Sequence, residues 1–168
     1  GVVGTIGQYV HGNQPSHHVA YLYNYAGQPW KTQERVRQIC EELYRPGPGG
    51  LCGNEDMGSL SSWYVLSSLG IYAVTPGSTN YVIGSPLFGE ATLQLGGNKT
   101  FAIKALNNST DNKYIQSATL NGAAFNRTWI TQDEITAGGE LNFRMGPTPN
   151  DKWGTGRGAA PPSMSAGN

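Results

Sequence analysis

Near residue 74 the hydrophobic rhythm of the chain changes period, and this switch limits the fold more than any other feature. Upstream the spacing is helical. In "SHHVAYLYNYAG", Val19, Leu22, Tyr23 and Ala26 fall at i, i+3, i+4 and i+7, with Ser16 as the expected cap and Gly27 as the stop. In "PWKTQERVRQICEELY", Pro29 suits a first helical turn, and Val36, Ile39, Cys40 and Leu43 form one stripe. "RPGPGG" (45–50) ends that helix by removing donors. A third helix is expected over 59–69, ended by Gly70. It is apolar or small nearly all round, so it is expected to be buried rather than amphipathic.

Downstream the period is two. "ATLQL", "TFAIKAL" and "GELNFRM" alternate, placing Phe101, Ile103 and Ala105, and again Leu141, Phe143 and Met145, on single faces. Asn121-Gly122 in "SATLNGAAF" predicts a two-residue type I′ hairpin. Several short strands between turn signals suggest part of a sandwich. The expected class is α+β: helices over 1–74, antiparallel strands over 75–153, and a disordered tail over 154–168.

Charge excludes several roles. Eleven Lys and Arg balance eleven Asp and Glu, so there is no basic stripe for nucleic acid or an anionic membrane. No run of about 18 apolar residues exists, so no membrane span is expected. "GVVGTIGQYV" has neither a charged n-region nor an apolar core, so no signal peptide is expected within the chain, which reads as a fragment. Cys40 and Cys52 stand open between a disulfide and two reduced thiols. Asn98, Asn107, Asn108 and Asn126 begin glycosylation sequons.

The chemistry gathers in two polar loops, "VHGNQPSHH" (10–18) and "GLCGNEDMG" (50–58). Each has Gly-Asn followed by Gln or Glu, and each leads into a helix. Glu55 and Asp56 read as helix caps or as a carboxylate held ionised for base or hard-cation work. A cap needs one acid, whereas here two acids and Asn54 are clustered. His17 and His18 point about 100° apart if helical, and no Cys or acid lies at zinc spacing, so one is expected to bond a polar ligand and the other to brace its loop. His11 is given no role. Trp30, Trp63 and the tyrosines read mainly as core, with a minority able to stack on a sugar face. No Ser–His–Asp order, nucleotide Gly-loop or Walker motif is present.

"HGNQPSHHVAYLYNYAGQPWKTQ" followed by "GLCGNEDMGSLSSWYVLSSLGIYAVTPGSTNYVIGSPLF" resembles the C-terminal part of glycoside hydrolase family 92. The likeness is specific over about 9–90 and looser to about 153, where "GGELNFRMGPTPNDKWG" resembles the family's last strands. It implies a calcium-dependent, inverting exo-α-mannosidase, acting on terminal α-mannosides of N-glycans or mannans with α-1,2 linkages foremost, and secreted or periplasmic. It also implies the last helices of an (α/α)6 barrel followed by antiparallel strands of a β-sandwich-like region. The remainder of the parent polypeptide is then a necessary partner, because the family's general acid lies upstream of anything present here. By resemblance Asp56 is the base with Glu55 as second candidate. Asn13, Gln14 and Asp56 neighbour calcium, and His17, His18, Trp30 and Asn54 face the sugar. Two departures matter. Gln14 stands where the family often has Glu, which removes a charge from the calcium set, and Asn54 stands where some members have a further acid. Two other readings are a non-catalytic carbohydrate-binding or structural fragment, and a trehalase-like (α/α)6 hydrolase.

Overall fold

A two-stranded hairpin, β1 (Thr5–Ile6) and β2 (Tyr9–Val10), precedes the first helical turn. Residues 4–163 are described by the computed structural model. The helix expected over 16–27 is broken into two 3₁₀ turns, Gln14–Ser16 and Val19–Tyr21, and one α-turn, α1 (Leu22–Tyr25). Its predicted stripe faces outward: Val19, Leu22 and Tyr23 are 41, 42 and 37% exposed, while Ala20, Tyr21 and Asn24 are buried. Two causes act together. A 3₁₀ turn has three residues rather than 3.6, so the face rotates. Polar tips also let Tyr21 and Asn24 go inside: the Tyr21 hydroxyl pairs with Ser67 Oγ at 2.8 Å, and Asn24 Nδ2 donates to the Ile83 carbonyl at 2.7 Å.

The second helix, α2 (Pro29–Leu43), buries Val36, Ile39 and Cys40 as its stripe predicts. The third, α3 (Ser59–Leu69), ends at Gly70, where φ is 88° and a Cβ would come within 2.9 Å of Pro86. Against the expectation of all-round burial, α3 hides only Leu60, Trp63, Ser67 and Ser68, leaving Ser61, Ser62 and Val65 exposed. Cys40 and Cys52 are free.

The β-region begins with β3 (Ile71–Tyr72), β4 (Asn80–Ile83), β5 (Glu90–Gln94), β6 (Thr100–Leu106), β7 (Tyr114–Leu120) and β8 (Ala123–Ala124). It continues through β9 (Trp129–Thr131), the short α4 (Gln132–Ala137) and β10 (Gly139–Gly146). Strands β3-β4-β9 form one sheet, and β5-β6-β10-β7-β8 another. The β7–β8 turn is the predicted Asn121-Gly122 hairpin, with φ positive at both residues. One pairing departs from the antiparallel expectation: β10 runs parallel to β6. The chain returns to β6 through β7, β9 and α4, and no local pattern records such a crossover.

The three-stranded sheet is a wall between two cores. Successive residues of a strand face opposite ways. Ile83 of β4 joins the β-core with Phe101, Ile103, Ile115, Leu141 and Phe143. Its neighbour Val82 joins the helical core with Tyr21, Val36, Ile39, Leu60 and Trp63. Two α2 side chains bolt the layers together. Gln33 Oε1 accepts from the Ile115 N–H at 2.9 Å. Buried Arg37 donates to the carbonyls of Pro86 and Ser109 and to Asn108 Oδ1 at 2.7, 2.9 and 2.8 Å. Residues 154–163, expected to be disordered, fold back on β9: the Ala159 carbonyl accepts from both the N–H and the hydroxyl of Thr128, at 2.8 and 2.9 Å. Residues 164–168 of that expected tail lie outside the described residues.

Candidate active site

The two polar loops meet. The Asn54 N–H donates to the Gly12 carbonyl at 3.0 Å, and Gln14 Nε2 donates to the Asn54 carbonyl at 3.1 Å. Glycine is required at the crossing, because a Cβ on Gly53 would sit 2.3 Å from the Gly12 oxygen. This contact gathers Asn13, Gln14, Asn54, Glu55 and Asp56 at the entrance of α3.

Between Glu55 and that helix lies a turn with three successive left-handed residues, Asp56 (φ 49°), Met57 (φ 56°) and Gly58 (φ 86°). Such a conformation costs a non-glycine residue about 1–2 kcal/mol. Two contacts hold it. The Glu55 carbonyl accepts from the Ser59 N–H at 2.8 Å. The Glu55 carboxylate accepts from the Ser61 N–H at 3.2 Å and the Ser61 hydroxyl at 3.0 Å. The N-cap is Gly58, which has no side chain to offer. Glu55, not Asp56, therefore meets the helix terminus, contrary to the expectation that the terminus holds Asp56. Asp56 stands exposed on the turn: its carbonyl accepts from the Ser59 N–H at 3.2 Å, but its carboxylate accepts no hydrogen bond among the described residues.

The histidines separate. His18 is exposed and lines a cleft of about 840 Å³ with Leu22, Tyr25, Val74, Ser78 and Asn80. His17 is buried, with Nε2 on the His11 carbonyl at 3.2 Å, so it braces the loop. Trp63 Nε1 donates to the His17 carbonyl at 3.0 Å. His11, given no role from sequence, is wholly buried. Its Nδ1 lies 2.8 Å from the Tyr9 hydroxyl and its Nε2 2.7 Å from the Tyr44 hydroxyl. With the Tyr44 proton given to the Leu60 carbonyl at 3.1 Å, Nε2 carries the ring hydrogen and Nδ1 accepts from Tyr9. Burial, then the neighbouring His17, lower the His11 pKa to about 3, and burial lowers that of His17. Burial likewise raises the Tyr44 and Tyr9 phenols. The signal for His11 was the spacing Tyr9–His11, two residues on one face where β2 ends.

Trp30 is not brought to the loops. It is the second residue of α2 while Tyr44 caps the other end, about 21 Å away along the axis at 1.5 Å per residue.

For a metal, donor chemistry is the test. Among the described residues no group of three His, Cys, Asp or Glu forms a metal cluster. The loops instead offer oxygen: the amides of Asn13 and Gln14 and the Asp56 carboxylate. Gln14 turns its Nε2 onto Asn54, leaving its Oε1 to point elsewhere. An all-oxygen set fits a hard cation such as Ca²⁺. Glu55 is directed to the helix instead, each of its oxygens accepting one hydrogen bond from Ser61.

The sequence model of the glycosyl hydrolase family 92 catalytic domain matches residues 2–147. An uncharacterized secreted glycosidase of Arthroderma benhamiae is 34% identical over 160 residues, covering 93% of this chain and 20% of that relative. A family 92 α-mannosidase of Bacteroides thetaiotaomicron, solved with mannoimidazole, superimposes with TM-score 0.93 and 40% identity, over 97% of this chain and 21% of the other. A family 92 inverting mannosidase of the same organism gives 0.90 and 50% identity, over 95% and 22%. The chain thus spans about a fifth of the length of these relatives.

Proposed function

Because this chain belongs to glycosyl hydrolase family 92, we propose that it supplies the base-bearing part of an inverting exo-α-mannosidase active site, with Asp56 as the general base. The observation that carries the assignment is the division of labour on one turn. Glu55 has both oxygens engaged by Ser61, while Asp56 faces outward with its carboxylate free.

Inversion needs two carboxyl groups about 6.5–9.5 Å apart, leaving room for a water beside the anomeric carbon. Asp56 accepts a proton from that water as its oxygen attacks the carbon from the face opposite the leaving group. The glycosidic oxygen takes a proton from an acid in the remainder of the polypeptide, and the released mannose is the β-anomer. The neutral Asn54 beside the base raises no competing carboxylate. Asn13, Gln14 and Asp56 are the residues that would hold Ca²⁺, which when bound supplies positive charge at the sugar hydroxyls and favours a flattened ring. The substrates are terminal α-mannosides of N-glycans or mannans, α-1,2 foremost, met outside the cytoplasm. Among the described residues no helix is long and apolar enough to cross a membrane. In this reading α2 and α3 are among the last helices of an (α/α)6 barrel, and the five-stranded sheet belongs to a β-sandwich-like region. His18, beside its open cleft, remains available to a sugar, whereas His17 is buried and braces its loop.

The test is proton NMR of α-1,2-mannobiose hydrolysis by the complete polypeptide, with Ca²⁺ and then with EDTA. β-Mannose appearing first, and only with Ca²⁺, supports the reading. Release that survives EDTA removes calcium from it. No release from any α-mannobiose linkage returns the chain to non-catalytic carbohydrate binding.

A further inference from the structure

We propose that His11 is a positioning residue for the turn that carries Asp56, acting through the Tyr44 hydroxyl, an inference that rests on Asp56 being the base. Five bonds converge on His11 and Gly12. The His11 N–H donates to the Gly4 carbonyl at 2.8 Å, which fixes the hairpin behind it. The His11 carbonyl accepts from His17, closing the first loop on itself. The next carbonyl, of Gly12, accepts from Asn54 and so holds the second loop. The ring then reaches α3 by a separate route: the Tyr9 hydroxyl donates to Nδ1, Nε2–H donates to the Tyr44 oxygen, and Tyr44 donates to the Leu60 carbonyl.

Leu60 is the second residue of α3, four positions past Asp56. Its own N–H donates back to the Glu55 carbonyl at 3.3 Å. The relay from the ring therefore fixes the helical end of the left-handed turn, and the Gly12 bond fixes its entry. Packing locks the ring in this role. Its centroid lies 4.3 Å from that of Trp63 and 5.4 Å from that of Tyr44, both edge-on, and Tyr44 itself stacks on Trp63 and Tyr64. A buried polar chain of this kind is directional. Each hydroxyl and ring nitrogen has one assigned role, so an altered member misorients the rest. His11 touches no reacting atom, and its effect on the chemistry passes wholly through where the Asp56 carboxylate stands.

The experiment uses the complete polypeptide with three kinds of variant. Tyr44→Phe keeps the ring and removes the hydroxyl that links His11 to Leu60. His11→Gln keeps a donor near the Nε2 position, whereas His11→Phe keeps none. Tyr81→Phe is the control, since it deletes a phenol hydroxyl bonded to Gln132, a residue of neither loop. Two readouts are taken: kcat and KM on α-mannobiose, and hydrogen–deuterium exchange over residues 54–61. Tyr44→Phe and His11→Phe are expected to lower kcat about tenfold or more with KM within about twofold, as a misplaced base should. Both should speed exchange over 54–61. Combining them should cost no more than either alone, because they cut one chain. His11→Gln should recover most of the kcat, and Tyr81→Phe should change neither readout.

A kcat within about twofold of the parent in Tyr44→Phe overturns the proposal, as does an equal loss in Tyr81→Phe. Should His11→Phe fail to fold, Tyr44→Phe carries the decision. A complete polypeptide without mannosidase activity refutes the functional reading instead. Exchange over 54–61 then decides the positioning alone: faster exchange in Tyr44→Phe supports it, and unchanged exchange overturns it.

Discussion

The assignment of the base is open to a double dissociation between neighbours. Glu55→Ala removes a carboxylate that accepts the Ser61 N–H and hydroxyl, at 3.2 and 3.0 Å. Loss of a cap-like bond costs about 1 kcal/mol, and a further bond at a half-buried site about 0.5–1 kcal/mol. The strain of two left-handed non-glycine residues is then less well opposed. Glu55→Ala should therefore destabilise the polypeptide by about 1.5–2 kcal/mol and loosen the turn, lowering kcat about tenfold. Asp56→Asn removes no hydrogen bond in the described structure and changes an exposed side chain, so stability should move by less than about 0.5 kcal/mol. Its kcat should nevertheless fall by about 10²–10⁴ or more, the contribution of a general base. The assays are steady-state kinetics and thermal unfolding, with a chemical rescue beside them. Truncating the true base leaves room for azide on the attacking face, so Asp56→Ala with azide should form β-mannosyl azide, and Glu55→Ala should not. Should Glu55→Gln lose as much kcat as Asp56→Asn while keeping its melting temperature, or should azide rescue only the Glu55 variant, Glu55 is the base and the reasoning from its occupied oxygens is wrong.

Three further outcomes follow from the packing. Arg37→Met leaves the Ser109 carbonyl and Asn108 Oδ1 without their buried donor and the Pro86 carbonyl with Asn108 Nδ2 alone, and should cost about 3–5 kcal/mol in a denaturant titration. Met57→Asn places a residue tolerant of positive φ where φ is 56°, and should raise stability by about 0.5–1 kcal/mol in the same titration. Glu134 gives a pH dependence. Burial pushes its pKa up, but hydrogen bonds from the Thr131 N–H, Arg127 and the Thr131 hydroxyl outweigh that and hold it below the ordinary 4.5. A depressed carboxyl stabilises the fold above the unfolded value and loses that contribution as pH falls through the folded one. Melting temperatures of the parent and Glu134→Gln should therefore differ most above about pH 5 and converge on acidification.

Patterns that depend only on neighbours in sequence were legible. The α2 stripe, the alternation in β6 and β10 and the Asn121-Gly122 turn each follow from one local period or one steric demand. What was not legible depends on distant partners. Tyr21 and Asn24 are inside because Ser67 and Ile83 receive their polar tips, and this turns the α1 face around. The parallel β6–β10 pairing follows from the crossover and not from either strand. The last segment stays in place because one carbonyl, of Ala159, takes two hydrogen bonds from Thr128, which its Gly- and Pro-rich composition does not reveal. The site divides in the same way. Gly-Asn before Gln or Glu singled out both loops, but neither loop's pattern records that Gly12 and Gly53 touch. The separate duties of Glu55 and Asp56 were hidden, because the positive φ values from Asp56 to Gly58 turn the chain so that Glu55 reaches the helix terminus and Asp56 does not.

Among the described residues, the large exposed hydrophobic side chains are Val19, Leu22, Tyr23, Leu51, Met57 and Val65, with only Phe88 and Leu106 elsewhere. The first six lie in the helical part, and Met57 directly follows Asp56 on the strained turn. An exposed carboxylate surrounded by water is a weak base, since solvent screens it and no water is singled out for attack. Covering the turn that presents Asp56 would shield its carboxylate from water, and the covering surface is also where an acid must stand, about 6.5–9.5 Å away across the sugar. On the proposed reading, one docking event therefore excludes solvent, brings the acid into range and strengthens every charge in the site.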